Sequence, residues 1–432
     1  MNPIMKGKIS RIAFGGSGIA KNDGLVIFVP FAAPEDNLTI EITKQKKTHG
    51  FGKILSIDEP SPYRIKPICP YFGECGGCQF QHLEYSKQLE IKYLFVKEAL
   101  ERIGKISCEV SPVVPAEKAW AYRRHITLHL TPFERGFQAG YVGIDHVSPL
   151  VVKSCDIFID SKQPLLIELQ SYLKECNNNG INEAHVRILK ASEHTFLLAF
   201  TFFPALPENY SSFCKNLHQK IPSCVGVVIK SPREVHSYGQ TTASFTIDDI
   251  KFTYSPYGFV QNHPQQSANI YHEIVKIISP NSKKVLDLYC GIGVSSLLLA
   301  RTGREILGID SNKDCIYLAE RNAQENGIQK AVFTAEKVEK SLEKHLKEFA
   351  PDTIIVNPPR IGISKEVLDI LLEYKPKEIL YTSCNPTTLA RDLHRLCDVG
   401  YQIALCKPYD MFPQTTHVET LVQLKRGNDT TL

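Results

Sequence analysis

Residues 378–391, EILYTSCNPTTLAR, put a thiol where it can act as a nucleophile. The apolar run Ile379, Leu380, Tyr381 reads as a strand that ends at Thr382 and Ser383, and Asn385-Pro386 opens a helix just after Cys384. A thiol between a strand and a helix N-terminus lies at the carboxyl edge of a sheet, where open α/β sheets keep their ligands. The helix terminus favours thiolate over thiol. A buried structural cysteine is the alternative, because free cysteine is among the most buried residue types. A second constellation lies in EPSPYRIKPICPYFGECGGCQFQH, residues 59–82. Cys69, Cys75 and Cys78 are separated by five and then two residues, and Gly73, Gly76 and Gly77 let the backbone fold so that three sulfurs face one point. That pattern suits zinc or an iron–sulfur cluster, and it needs a fourth ligand from elsewhere. Cys155, in VVKSCDIF, follows a loop of polar and turn residues and is the candidate.

A chain of 432 residues is expected to form two or three domains, and 43% hydrophobic with 22% charged residues is ordinary globular composition. Lys+Arg 50 against Asp+Glu 46 leaves a net charge of only +4, so any nucleic-acid footprint must be local. MNPIMKGKIS contains no apolar h-region, so no secretory signal is expected, and no apolar run approaches a membrane span. Thirteen cysteines then point to the cytoplasm, where they serve as core residues, metal ligands or nucleophiles rather than as disulfides.

The elements that must position these residues divide the chain at 1–58, 59–258 and 259–432. Residues 4–57 alternate with a short period and read as five strands of an OB-like barrel, punctuated by Gly15-Gly16-Ser17-Gly18, Asn22-Asp23-Gly24 and His49-Gly50. Lys44, Lys46, Lys47 and His49 cluster at one turn, either to meet phosphates or as a solvated loop. Residues 83–104 read as a packing helix with Leu89, Tyr93, Val96 and Leu100 on its apolar stripe and Gly104 as its stop. Residues 108–255 read as α+β structure, with helices at 162–176 and 207–219 and a loop at Asn177-Asn178-Asn179-Gly180. Within it, Trp120-Ala121-Tyr122-Arg123-Arg124-His125 leads into the strand ITLHL. Its aromatic and basic residues either stack bases and neutralise phosphates or form an edge strand with exposed arginines.

From 259 the pattern becomes βαβ. KKVLDLY (283–289) is a buried strand, CGIG (290–293) a glycine turn containing Gly291, and VSSLLLA the start of a helix. EILGID (305–310) ends in Asp310, an acid roughly twenty residues past the glycine turn, where it can accept from ribose hydroxyls. A helix (312–326), a strand near 331–335, a helix (337–348), the strand DTIIVN (352–357), a helix (364–373), the strand into Cys384 and a helix (387–398) follow. YQIALCKPYD (401–410) and HVETLVQLK (417–425) close a Rossmann-like sheet as adjacent strands. The turn DLYCGIG lacks the third glycine of the dinucleotide fingerprint, which argues against a dehydrogenase. With Asp310 and Asn357-Pro358-Pro359 it reads as the nucleoside pocket of an S-adenosyl-L-methionine methyltransferase.

CPYFGECGGCQFQH, DLYCGIG, NPPRIG, TSCNPTTLARD and DMFPQTTHVET stand in this order along the chain. On these motifs the whole chain resembles the RNA uracil-C5 methyltransferases, in particular their iron–sulfur, RumA-like branch. The resemblance implies a multidomain α/β protein: an N-terminal OB-like TRAM barrel, a central α+β domain and a Rossmann-like methyltransferase domain. It implies that Cys384 is the nucleophile and Glu419 the base that abstracts a proton. It implies that Cys69, Cys75, Cys78 and Cys155 hold a [4Fe–4S] cluster, and four cysteine ligands leave no open site for substrate, so a structural role is expected. Gln261, Tyr289, Gly291, Asp310 and Asn357 fall where the family contacts S-adenosyl-L-methionine and the target base. The implied substrate is 23S ribosomal RNA, with transfer RNA as the alternative, for a monomeric cytoplasmic enzyme with no membrane partner. Three positions depart from the family pattern: Asn357 stands for the usual Asp, Val294 for Asn or Thr, and Gln261-Asn262-His263 for Gln-x-Asn. Two rival readings fit less well. An adenine-N6 methyltransferase wants an aromatic residue where Arg360 stands and has no use for Cys384. A decayed RNA-binding protein has no reason to keep both Cys384 and Glu419. His417 shares a strand face with Glu419 and either tunes that carboxyl or is a plain surface histidine, the reading preferred here.

Overall fold

The computed structural model describes residues 2–22, 24–159, 164–178 and 180–427. Asp23 of the second expected turn, positions 162 and 163 of an expected helix, and Asn179 lie outside the described residues. The N-terminal sheet has six strands, one more than expected. Their spatial order is Ile4–Lys8, Asn37–Gln45, His49–Glu59, Leu25–Val29, Gly18–Asn22 and Arg11–Ile12. The two strands at opposite ends of that order are separated in the chain by Ile9 and Ser10 alone, so the sheet has to curl back on itself as a barrel. Alternation along Asn37–Gln45 buries Leu38, Ile40 and Ile42 against Ile27 and Val29. Lys44, Lys46 and Lys47 are exposed at one end of the barrel, with Lys46 Nζ 5.9 Å from the Phe51 ring centroid.

The following helix, Tyr85–Ala99, continues into a wider π-type turn, Leu100–Gly104. Its buried face differs from the expected stripe. Val96 and Leu100 are buried, but Leu89 and Tyr93 are only partly covered, and Gln88, Ile91, Lys92 and Phe95 are buried instead. The reason is polar pairing. Lys92 Nζ lies 2.6 Å from Asp410 Oδ1 and 2.9 Å from the Phe412 carbonyl, and Gln88 Nε2 lies 3.0 Å from Gln414 Oε1. A buried polar group is tolerated when partnered, so the inward face need not be the apolar one.

The central sheet has seven strands, in the order Val235–Gly239, Cys224–Lys230, Thr195–Phe203, Glu183–Ser192, His125–Phe133, Gly136–Val142 and Pro149–Val151. Helices Leu165–Lys174 and Tyr210–Lys220 pack on it around Phe196, Phe200 and Phe202. The strand His125–Phe133 pairs on both sides, and Arg124 is buried. The reading of Trp120–His125 as an edge with exposed arginines is therefore corrected: the segment enters the interior of a sheet.

The C-terminal sheet is built from β1 (Lys284–Leu288), β2 (Glu305–Asp310), β3 (Ala331–Ala335), β4 (Thr353–Val356), β5 (Glu378–Ser383), β6 (Tyr401–Tyr409) and β7 (Glu419–Arg426). Its order is β3-β2-β1-β4-β5-β7-β6, with β1 to β5 parallel and β7 antiparallel to both β5 and β6. Six helices connect it: α1 (Pro264–Ile277), α2 (Val294–Ala300), α3 (Lys313–Glu325), α4 (Val338–Phe349), α5 (Lys365–Tyr374) and α6 (Pro386–Asp398). The inner strands are continuous apolar runs because both faces are covered. Leu286, Ile354 and Ile379 enter one core cluster, while their neighbours Val285, Ile355 and Leu380 enter the cluster on the other face. Because β7 runs backwards, its amino end lies at the same edge as the carboxyl ends of β1, β2, β4 and β5. Among the described residues, no helix is long and apolar enough to cross a membrane.

Candidate active site

β5 is buried along its whole length and delivers Cys384 to the sheet edge. Asn385 caps α6, its Oδ1 accepting from Thr387 N at 3.0 Å, and Pro386 occupies the first turn, where no amide is missed. The same cap holds the loop after β4. Asn385 Nδ2 and Thr388 Oγ1 both donate to the Arg360 carbonyl, at 3.1 and 3.3 Å. Asp392 Oδ2 accepts from Ile363 N at 3.0 Å and from the Tyr381 hydroxyl at 2.8 Å. The residues of NPPRIG are thus stitched onto the helix that carries the cysteine.

Glu419 opens β7. The register of β5 and β7 pairs Ser383 with Thr420, so Cys384 and Glu419 are the next residues outward on two adjacent strands. One cavity at this edge is lined by Cys384, Glu419, Asn357, Asp310, Tyr289, Gly291 and Gln261, which are the seven residues expected of a catalytic and cofactor site. Asp310, at the end of β2, accepts from Gly291 N at 3.0 Å and from Asn312 N at 2.8 Å. Its carboxylate is held facing the glycine turn, whose chain takes positive φ at Tyr289, Gly291 and Gly293 to bring backbone close to a ligand. Deeper in β1, Asp287 accepts from Ser295 and Ser296 hydroxyls at 2.6 Å each, and burial still pushes it up to about 6.

The electrostatics differ from the expectation at Cys384. Burial first, and the Glu419 carboxyl second, push its thiol up to about 11, with Arg360 opposing them. The dipole of α6 is outweighed by loss of solvent, so the resting group is a thiol and not a thiolate. Glu419, 2% exposed, is likewise pushed up by burial, to about 8, again opposed by Arg360. Arg360 lines the same cavity and was not singled out as a site residue, although its place directly after Pro358-Pro359 was visible. Phe259 and Phe412, also on the cavity wall, were not singled out.

His263, one of the three departures from the family pattern, caps α1: its Nδ1 accepts from Gln266 N at 3.4 Å, and its ring stacks on Tyr122 with centroids 4.8 Å apart. Its neighbour Asn262 accepts from His125 N through Oδ1 at 3.1 Å and so ties the central sheet to the cavity. His417 is not a surface residue. It is half-buried against Phe412, and burial pushes its ring down to about 4.

Cys69, Cys75, Cys78 and Cys155 line a second cavity, with Tyr71, Tyr141 and Arg123. The loop folds back through Cys75 N to Tyr71 O, at 2.8 Å, and rests on strand Gly136–Val142 through Gly76 N to Val142 O, at 3.0 Å. A Cβ on Gly76 would come within 2.9 Å of the Gly143 carbonyl, so this close approach needs glycine. Burial pushes the Cys69 thiol up to about 11 and Cys78 to about 12, and raises Cys75 and Cys155 as well. Among the described residues, no group of three or more His, Cys, Asp or Glu converges tightly enough to hold a metal ion. The sulfurs rim a cavity instead of meeting at the single point expected from their spacing. Four thiols around a shared space are the ligand type that both zinc and iron–sulfur clusters take.

A family model described as tRNA (uracil-5-)-methyltransferase matches residues 164–427, and a TRAM domain model matches residues 8–55. The chain is 42% identical over 424 residues to an uncharacterized RNA methyltransferase of Protochlamydia amoebophila, covering 98% of each. It is 32% identical over 449 residues to one of Halalkalibacterium halodurans, covering 99% of this chain and 98% of that one. Among solved structures, the tRNA (uracil-54, C5)-methyltransferase of Pyrococcus abyssi, in complex with S-adenosyl-L-homocysteine, superposes with a TM-score of 0.77 at 25% identity. That superposition covers 97% of this chain and 100% of that one.

Proposed function

The chain belongs to the tRNA (uracil-5-)-methyltransferase family, and from that premise we propose that it methylates C5 of one uridine in 23S ribosomal RNA through a covalent adduct between Cys384 and C6. The observation that carries the proposal is the pairing at the ends of β5 and β7. It sets a nucleophile and a buried carboxyl side by side in the cavity that also holds Asp310 and Asn357.

C5 of uracil is too weak a nucleophile to take a methyl group directly. S-adenosyl-L-methionine, when bound, supplies an electrophilic sulfonium methyl. Cys384 first gives up its proton to solvent; Sγ then adds to C6 as the thiolate, and the ring becomes an enolate with its charge on C5 and O4. The Asn357 amide accepts from uracil N3–H and donates to O4, which supports that charge. Arg360 stands beside the thiol as the cation that favours its ionised form. Once C5 carries both hydrogen and methyl, Glu419 takes the proton. The C–H electron pair restores the C5–C6 double bond, and the C6–S pair leaves with sulfur. Glu419 takes the proton in its ionised form, which a value of about 8 makes the minor form at neutral pH but a stronger base than an ordinary glutamate. The base must reach this cavity unstacked, so the target is single-stranded or flipped out. Cys69, Cys75, Cys78 and Cys155 would hold a [4Fe–4S] cluster that ties the loop of residues 69–78 to the segment following Pro149–Val151, a structural role.

The four-cysteine set supports ribosomal RNA as substrate, because the resemblance associates it with that branch of the family. Transfer RNA is the second reading, favoured by the likeness to the Pyrococcus abyssi enzyme. The test is anaerobic incubation of the protein with S-adenosyl-L-methionine and 5-fluorouridine-substituted ribosomal RNA or transfer RNA, followed by a denaturing gel. Fluorine at C5 cannot leave as a proton, so a covalent protein–RNA adduct accumulates, and Cys384→Ala abolishes it. An adduct with transfer RNA alone overturns the ribosomal assignment, and no adduct with either overturns the covalent mechanism.

A further inference from the structure

Buried N–H donors without partners gather on one wall of the catalytic cavity. Arg123 and His125 both line it, and residues two apart in extended chain share a face. Arg187, on strand Glu183–Ser192, reaches the same place: its Nη2 lies 3.0 Å from His125 Nε2, and its Nη1 donates to the Gly258 carbonyl at 3.1 Å. A guanidinium only donates, so His125 Nε2 is the acceptor, and the neutral ring carries its proton on Nδ1. Burial first, and the surrounding guanidiniums second, keep that ring neutral, with its pKa well below the usual histidine value. Among the described residues the Nδ1–H has no partner, and neither do Nε of Arg123 and Nε of Arg187. Asp156, the carboxylate that shares the cysteine cavity with Arg123, leaves its own Oδ2 unpartnered and makes no ion pair with it among the described residues.

Leaving buried N–H donors unsatisfied is unfavourable, so a wall of this kind suits a ligand that brings acceptors and negative charge. The wall lies at the mouth of the cavity. Arg187 holds the Gly258 carbonyl, and the next residue, Phe259, lines the same cavity while 66% exposed. When a base is flipped in towards Cys384, its sugar–phosphate chain stays at the mouth. We propose that Arg123, Arg187 and His125 form a seat for one backbone phosphodiester of the RNA beside the target nucleotide. This rests on the reading of the substrate as RNA.

The test is the salt dependence of binding to a short oligouridylate, used as a single-stranded probe, by wild-type protein, Arg187→Gln and Arg123→Gln, with S-adenosyl-L-methionine affinity measured on the same samples. Each lost phosphate contact lowers the slope of log affinity against log salt by about 0.7 on a single strand. The seat predicts that loss in both variants with methyl-donor affinity unchanged. It also predicts a wild-type slope in Arg187→Lys, which keeps the charge and reports on folding. An unchanged slope in folded glutamine variants overturns the seat. A methyl-donor affinity weakened tenfold with the slope unchanged also overturns it, and reassigns the donors to the amino-acid carboxylate of that cofactor. If the wild-type protein forms no adduct on 5-fluorouridine RNA, the methylation reading fails. A wild-type adduct with unchanged variant slopes removes only the seat.

Discussion

Replacing Glu419 by glutamine separates its two roles, as a base and as a buried acid. The side chain is 2% exposed at the amino end of β7, and its carboxyl is pushed by burial from an ordinary 4.5 up to about 8. The unfolded chain releases this proton near pH 4.5 while the folded chain keeps it to about 8. Between those values the folded state binds more protons, so its contribution to stability falls as pH rises and is lost once the folded group ionises. From about pH 6 to about pH 8 the loss is roughly 2 kcal/mol, at about 1.4 kcal/mol per tenfold change in proton activity. For a domain of this size that corresponds to a fall in melting temperature of roughly 4–8 °C. Glutamine keeps the shape without the proton, so Glu419→Gln should melt with a correspondingly flatter pH profile. With unmodified RNA and S-adenosyl-L-methionine, the variant should also accumulate a covalent adduct on a denaturing gel, because the C5 proton has no acceptor. Thermal melting from acidic to alkaline buffer reads the first effect and the gel reads the second. Identical pH profiles in the two proteins would refute the buried acid. A variant that turns over without accumulating adduct would refute the base.

Other expectations follow from pairs and clusters. Lys92→Met leaves Asp410 buried and unpaired, so it should destabilise the protein by about 3–5 kcal/mol, and denaturant unfolding should show Lys92→Met with Asp410→Leu recovering much of that loss. Cys155→Ala removes one of the four thiols that line the second cavity, so iron content and visible absorbance of anaerobically purified protein should fall sharply while far-ultraviolet dichroism keeps its shape. Full iron retention in that variant would remove Cys155 from the ligand set.

Much of the methyltransferase sheet was legible because its signals are local. The runs at 283–289, 305–310 and 378–383 are apolar without alternation, the mark of strands covered on both faces, and each ends in a turn or cap residue that stops it. The barrel lost one strand in the reading because Arg11–Ile12 is only two residues long and has no period of its own. The helix Tyr85–Ala99 was read on the wrong stripe. Gln88 and Lys92 look solvent-facing until Gln414 and Asp410, more than three hundred residues away, are seen to partner them.

Residue identity alone determined which groups can do chemistry here. Cys384 sits between strand and cap, an acid ends β2, an Asn-Pro-Pro ends β4, and three cysteines crowd a glycine-rich loop. Tertiary structure decided what state those groups are in and whom they face. The antiparallel insertion of β7 brings Glu419 beside Cys384, a proximity no spacing of thirty-odd residues could declare. Burial then overrides the helix terminus and holds the thiol protonated. Of the two readings of residues 120–125, the edge strand with exposed arginines fails because the strand His125–Phe133 finds a partner on each side. Spacing along a chain records which residues are neighbours in sequence. Desolvation and charge pairing depend on neighbours in space, and those exist only once the sheets have closed and packed.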